Sequence, residues 1–452
     1  MKKSLAICLS MLTLLVTSCM DDGEEVALSP YAILKSFSIG SIESVYPTFT
    51  STGADTIETK TIDFSSQPFS IDQVTGEVYN ADSLQFATKV DKIVVKMQLM
   101  GYAQIYVDSI GVFETFLSTD SIDFTTPRKF RIKSTDNKHY RDYTISVNVH
   151  KVDPERMVWN KYSSADAVAP VRALEFDGNL CLFGEKEDSL VLAKTSLTGI
   201  PHWEIVPVKG LPSDANIATM QLFGGALYVV ATDGLYTSRD AEIWSRCYEA
   251  NDIIAIVGAS DEDGKMWVAA TDKLLKTADG VNFESAGQLP VDFPVYGVSI
   301  ASYPLSHNKK IVRYMLVGYT NEAMDGDAVV WSKLSTEENN WVKYDNENNS
   351  FPCPSLKGLS VFRYDNCLYA VGGAGTAQSE SVEAFESLFV SRDNGITWKA
   401  PEGFYQRTPA ELQGCEAPFV ATVDSNNVMW IILAGDEPVV WKGIINRLGF
   451  KN

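Results

Sequence analysis

Hydrophobic and polar positions alternate with a period of two through much of the first third of the chain. Ile93, Val95, Met97 and Leu99 interleave with Val94, Lys96, Gln98 and Met100, and Tyr143, Ile145, Val147 and Val149 interleave with Thr144, Ser146, Asn148 and His150. That period sends one set of side chains to one face, so both stretches predict half-buried β-strands. Turn formers cluster between the strand segments, at Ser51 to Asp55 and Ser134 to Asn137. Short strands with frequent turns over residues 30–152 predict a β-sandwich.

Beyond residue 155 the pattern changes. A turn followed by a nearly continuous apolar run recurs at 177–184, 224–231, 263–270, 313–318, 365–372 and 426–432. The spacing is roughly 50 residues, the size of one four-stranded propeller blade. Continuous apolar runs suit strands buried on both faces between neighbouring blades. All nine tryptophans follow residue 158, and Val152-Asp153-Pro154-Glu155 reads as a linker. The expected fold is therefore all-β: a sandwich over 30–152 and a β-propeller over 157–452, with six blades as the count and seven as the alternative. The sixth blade lacks a strand of its own. Residues 438–443 read as its third strand, and Met157 to Tyr162, which is similar to Asn340 to Tyr344, is expected to supply the fourth. Asn446 to Phe450 is the alternative donor.

Two local signatures carry family resemblances. The segment Phe130 to Asp136 followed by Tyr143 to Val147 resembles the last hairpin of Ig-like or cadherin-like modules in bacterial surface lipoproteins. Ser391-Arg392-Asp393-Asn394-Gly395-Ile396-Thr397-Trp398 resembles the Asp-box, or BNR repeat, of sialidase-type propellers at each diagnostic position: Ser391, Asp393, Gly395, Thr397 and Trp398. Ser238, Asp240 and Trp244, and likewise Thr277, Asp279, Gly280 and Phe283, form versions one residue shorter. Thr195 to Trp203 and Ser332 to Trp341 are more degenerate. The chemistry is local: short oxygen-bearing side chains satisfy the amides of a tight turn, glycine supplies a positive φ, and the aromatic ring packs on the blade. In that family the boxes lie remote from any active site, which implies a structural role here.

The chain's start adds an address. Lys2 and Lys3 precede an apolar stretch too short to span a bilayer, and Val16-Thr17-Ser18-Cys19 resembles the lipobox of bacterial lipoproteins. The resemblance implies a signal peptide over 1–18, cleavage before Cys19 and lipidation of its sulfur. Residues 19–29 then form an acidic tether. Asp21, Asp22, Glu24 and Glu25 look like the export tag of surface lipoproteins from gut-dwelling anaerobes, which implies an outer-membrane, outward-facing location. The membrane is thus an expected partner through lipid alone. The formal net charge of −20 argues against nucleic acid, which needs a basic footprint.

Candidate chemistry is sparse. The four histidines show no ligand spacing, and Asp261 to Gly264 and Asp325 to Asp327 read as hairpin turns rather than calcium loops, so no metal and no cofactor are expected. The five cysteines after Cys19 lack a disulfide framework, although a single Cys353–Cys367 or Cys247–Cys415 bond stays open. A sialidase reading needs an arginine triad. Arg172, Arg313 and Arg363 are the candidates, and a solvated or salt-bridged role is preferred for each. No catalytic residue is assigned. Blades four and five carry long insertions at 319–327 and 375–387, and a long connection spans 401–418. In it, Phe404, Tyr405 and Arg407 suit stacking on a sugar or anchoring a protein ligand. The expected function is non-catalytic binding of a glycan or protein; the alternative is a glycoside hydrolase with an unlocated carboxylate pair.

Overall fold

The computed structural model describes residues 28–449 apart from 50–54, 155, 166–167, 337–339, 347, 401–407 and 436. The signal, Cys19, most of the tether and Phe404, Tyr405 and Arg407 lie outside the described residues. The chain separates into two compact units after Val152, and each is described by itself.

The N-terminal unit is a separate β domain built from two principal sheets. One joins Ile33–Ile39, Ile93–Met100 and Ser121–Ile122; the other is six-stranded, with Tyr140–Ser146 and Arg128–Lys133 at its centre. The alternation read from sequence is visible in the burial. Ile93, Val95, Tyr143 and Ile145 are at most 1% exposed, whereas Val94 and Lys96 face solvent. Their buried faces meet Leu34, Phe130 and Ile132 in one cluster drawn from both sheets. The hairpin at 128–146 is flanked on both sides: Tyr102–Val107 pairs antiparallel with one strand, and Glu77–Tyr79 pairs parallel with the other.

The second unit is a six-bladed propeller. Blades 1 to 4 are four-stranded meanders whose innermost strands are Ala169–Phe176, Gln221–Phe223, Ile253–Ser260 and Tyr296–Pro304. Blade 5 starts at Ser360–Tyr364, and its fourth strand is reduced to a single bridge between Val390 and Lys399. In blade 6, Phe419–Val423, Met429–Leu433 and Val439–Ile445 are completed by Met157–Ser163, which pairs in unbroken register from Met157 opposite Ile445 to Ser163 opposite Val439. The expected donor is thus the one used. The alternative segment forms a short helix instead, Asn446–Gly449, held by Asn446 N–H and Arg447 N–H donating to the carbonyls of Arg156 and Pro154.

Burial explains why the second strands were so apolar. Ala226–Ala231 and Met429–Leu433 are buried at every position, because each strand is covered by the blades on either side. The outer strands are largely exposed, as in Glu204–Pro207 and Ser245–Glu249. The core is accordingly six apolar clusters, one at each junction between consecutive blades. The cluster of Leu180 and Leu182 with Trp430 and Ile432 joins blade 6 back to blade 1. Among the described residues no helix is long and apolar enough to cross a membrane.

Candidate functional site

Strand polarity sorts the propeller's connections onto two faces. In an up-and-down meander, the turns after the first and third strands lie at one end, and the turns after the second and fourth lie at the other. The box-like turns all follow third strands. The insertions at 319–327 and 375–387 follow second strands, and 408–418, the described part of the last connection, lead into an innermost strand. The boxes and the long connections therefore occupy opposite faces.

At the box face the side chains are consumed by local bonds. In the longest turn, Ser391 Oγ donates to Asp393 Oδ1 at 2.8 Å and accepts from Gly395 N–H at 2.7 Å. Asp393 also accepts from the amide and hydroxyl of Thr397, and Trp398 Nε1–H donates to the Gly395 carbonyl at 3.0 Å. In the shorter turns, Asp240 accepts from the amides of Glu242 and Ile243, and Asp279 from those of Val281 and Asn282. Hydrogen bonds led by the Asn282 amide hold the Asp279 carboxyl far below its usual range. Trp244 occupies the position of Trp398, donating to the Ala241 carbonyl, whereas Phe283 offers no such donor and stacks on Tyr248. The degenerate turns retain less: Thr195 Oγ accepts from His202 N–H, and Ser332 Oγ accepts from Arg313.

The opposite face holds two adjacent cavities that share Gly358 and Phe419. One, of about 150 Å³, lies where the first residues of the innermost strands converge on the central channel, among them Arg172, Ser299, Ser360 and Val420. Tyr319 and Met324 from the blade 4 insertion also line it. The other, of about 300 Å³, lies between Gly373 and Ala374 of blade 5 and residues 415–419. The blade 5 insertion is itself ordered. Gly375–Ala377 and Glu380–Val382 form a hairpin that pairs with Ser355–Leu356, and Phe385 is buried edge-on to Phe419 at 4.6 Å. Gly414 N–H and Thr408 Oγ donate to the carbonyls of Ala384 and Phe385, fixing the last connection to that insertion.

The three arginines considered for a triad are not brought together. Arg313 donates to Ser332 Oγ and Tyr344 Oη, and Arg363 stacks on Tyr303, whose hydroxyl donates to Asn394 in the box loop. Both thus stand at the box end. Arg172 stands at the channel mouth. It is part-exposed and makes no salt bridge among the described residues; its Nε is buried without an acceptor, and burial pushes its guanidinium down to about 10. It stays cationic at neutral pH.

Other chemistry is dispersed. Among the described residues neither cavity holds a pair of carboxylates; the channel cavity has none, and its neighbour has Glu416 alone. Asp261 accepts from Gly224 N–H while Asp263 accepts from Tyr314 Oη, so the carboxylates of that hairpin turn to separate partners. Among the described residues no group of three or more His, Cys, Asp or Glu is placed to hold a metal ion. Cys181, Cys247, Cys353, Cys367 and Cys415 are free thiols, so neither open disulfide pairing is formed. Burial raises the thiols of Cys181 and Cys247 to about 11, which suppresses nucleophilicity.

Family models place both units. Residues 153–452 match the DUF6242 beta propeller domain, and residues 37–147 match the N-terminal domain of DUF6242, a domain of unknown function. The chain belongs to the DUF6242 family. No curated protein matches it. Among solved structures, this DUF6242 chain is similar to a DUF4623 family protein from Bacteroides eggerthii, at 11% identity over 91% of this chain and 98% of that one, with a TM-score of 0.36. It is also similar to the WD40 domain of Toxoplasma gondii coronin, at 9% identity over 64% and 87% of the two chains, with a TM-score of 0.37. A third is virginiamycin B lyase from Staphylococcus aureus, at 10% identity over 64% and 99%, with a TM-score of 0.38.

Proposed function

We propose that this DUF6242 protein is a lipid-anchored, outward-facing binding protein that presents the channel-mouth face of its propeller to a glycan or protein ligand, without catalysis. The observation that carries the reading is the gathering of both insertions, the last connection and both cavities on one face, with the opposite face spent on short self-satisfied turns. Loops longer than a turn needs, set on a rigid scaffold, are where binding residues concentrate. In this reading Cys19 carries the lipid, the N-terminal domain is an Ig-like spacer, and the box-like turns are structural. Phe404, Tyr405 and Arg407 lie outside the described residues; in this reading, from the sequence alone, they supply stacking surfaces and a guanidinium to the ligand.

A glycan-array screen of the soluble chain lacking residues 1–19 tests the proposal. Saturable binding that falls at least tenfold in Phe404→Ala or Arg407→Ala is the expected result. Progressive loss of an immobilised glycan would replace binding with hydrolysis. A blank array from folded protein, together with no partner captured from intact cells, would overturn the reading.

A further inference from the structure

Arg172 is placed by a bulge. Pro170 and Arg172 pair with the consecutive residues Gly184 and Phe183, which leaves Val171 without a partner of its own. Such an insertion re-aims the side chains around it, and here Val171 and Arg172 both line the channel cavity. Proline lacks the N–H that the interrupted ladder would otherwise leave unpaired.

The guanidinium reaches a place where nothing answers its charge. Its Nε is inaccessible and has no acceptor, and among the described residues no carboxylate lines the cavity although the chain carries 58 Asp and Glu against 38 Lys and Arg. The neighbouring hydroxyls are committed elsewhere. Ser299 Oγ donates to the Leu359 carbonyl and accepts from Val361 N–H, Ser360 Oγ donates to the Gly358 carbonyl, and Tyr319 Oη donates to the Leu356 carbonyl. Most of the remaining wall is glycine or apolar, including Ala173, Val298 and Val420. A part-exposed guanidinium whose Nε is shut off from water without an acceptor has lost some of its hydration, and a ligand acceptor at the cavity would restore it.

We propose that Arg172 anchors an anion subsite in the channel mouth, and that the ligand is a saccharide bearing a carboxylate, of the uronic acid type. The proposal rests on the binding role argued above and names the chemistry of its ligand. A single cation balances a single negative charge, and the planar guanidinium fork matches a carboxylate side-on. Inorganic phosphate, with more than one negative charge near neutral pH, would bring an unmatched charge against apolar walls. A cavity of about 150 Å³ takes the acid group and a few attached atoms, so the rest of the saccharide stays at the face.

The test measures thermal stability and calorimetric binding of the soluble chain at fixed ionic strength, with glucuronate, glucose and inorganic phosphate as probes. Glucuronate is expected to raise the Tm of the wild type, because a ligand that binds only the folded state stabilises it, and glucose is not. Arg172→Met is expected to melt at or above the unliganded wild type and to bind glucuronate roughly 10- to 100-fold more weakly. Arg172→Lys keeps the charge without the fork and is expected to fall between them; it also serves if the methionine variant fails to fold. Equal stabilisation by glucose, or unchanged glucuronate affinity in both variants, would overturn the proposal. Binding of phosphate in place of glucuronate would overturn the carboxylate assignment. The two readings fail separately: array binding of neutral glycans that survives Arg172→Met sinks this inference alone, whereas glucuronate binding at Arg172 with a blank array and no partner captured from intact cells sinks the surface-binding reading alone.

Discussion

Asp279 and Asp393 solve the same problem in turns of different length: Asp279 gathers the amides of Val281 and Asn282, and Asp393 the amide and hydroxyl of Thr397, which the tight turn would otherwise leave unpaired. For Asp393, burial pushes the carboxyl up, but the amide and hydroxyl of Thr397 and the hydroxyl of Ser391 outweigh it, and the net shift is downward. A depressed carboxyl contributes stability above its unfolded value and loses it as pH falls toward the folded one, so denaturant stability should decline from about pH 4 downward. In Asp279→Asn combined with Asp393→Asn, stability at neutral pH should be lower and that acid slope shallower, as measured by urea titrations from pH 2 to pH 7. Gly280 makes a sharper case. Its φ is +72°, and a Cβ there would lie 2.4 Å from the Tyr228 ring, so Gly280→Ala should cost roughly 2–4 kcal/mol in the same assay. These residues were legible in the sequence because turn chemistry is settled within a few positions. Arg172 was not. Its lack of a partner is a property of several inner strands converging on one channel, and no spacing along the chain records it.

Among the elements, the second strand of each blade was the easiest to read, because burial on both faces removes the polar half of the alternation. Blade 5 departed from expectation at both ends. Its fourth strand shrinks to one bridge, and its insertion folds into a hairpin of Gly375–Ala377 and Glu380–Val382 that borrows Ser355–Leu356. Those strands are three residues long or shorter, too brief to show a period. Between blades, lysines act as staples that an apolar pattern hides. Lys442 lies 4.1 Å from the Trp430 ring centre, and its Nζ donates across the seam to the carbonyls of Leu197 and Gly199 in blade 1. Lys333 is likewise buried over Trp267 of the preceding blade. Lys442→Met should therefore cost about 2 kcal/mol by leaving two carbonyls without their donor, an effect read from equilibrium unfolding.

For the whole molecule, the six junction clusters make the ring mutually supporting, and the pairing of Met157–Ser163 with Val439–Ile445 ties the propeller's first strand to its last. Deleting residues 439–452 should leave Met157–Ser163 and the outer side of Met429–Leu433 unpaired and broaden or abolish cooperative unfolding, with aggregation visible by light scattering. The same seam sets a timetable. The strand that closes the ring is synthesised at the propeller's beginning, and its partner arrives at the end, so an emerging chain carries an unpaired strand through nearly the whole of its production. Loop closure over that span is slow relative to a local hairpin. Because Met157 sits directly opposite Ile445, a full chain in which Met157–Ser163 is moved to follow Ile445 through a short turn would make closure local, and should refold faster in stopped-flow with little change in equilibrium stability. In the natural order the closing strand waits unpaired until the final residues are made, so the length of the molecule's exposure to misassembly is a consequence of where one strand was placed.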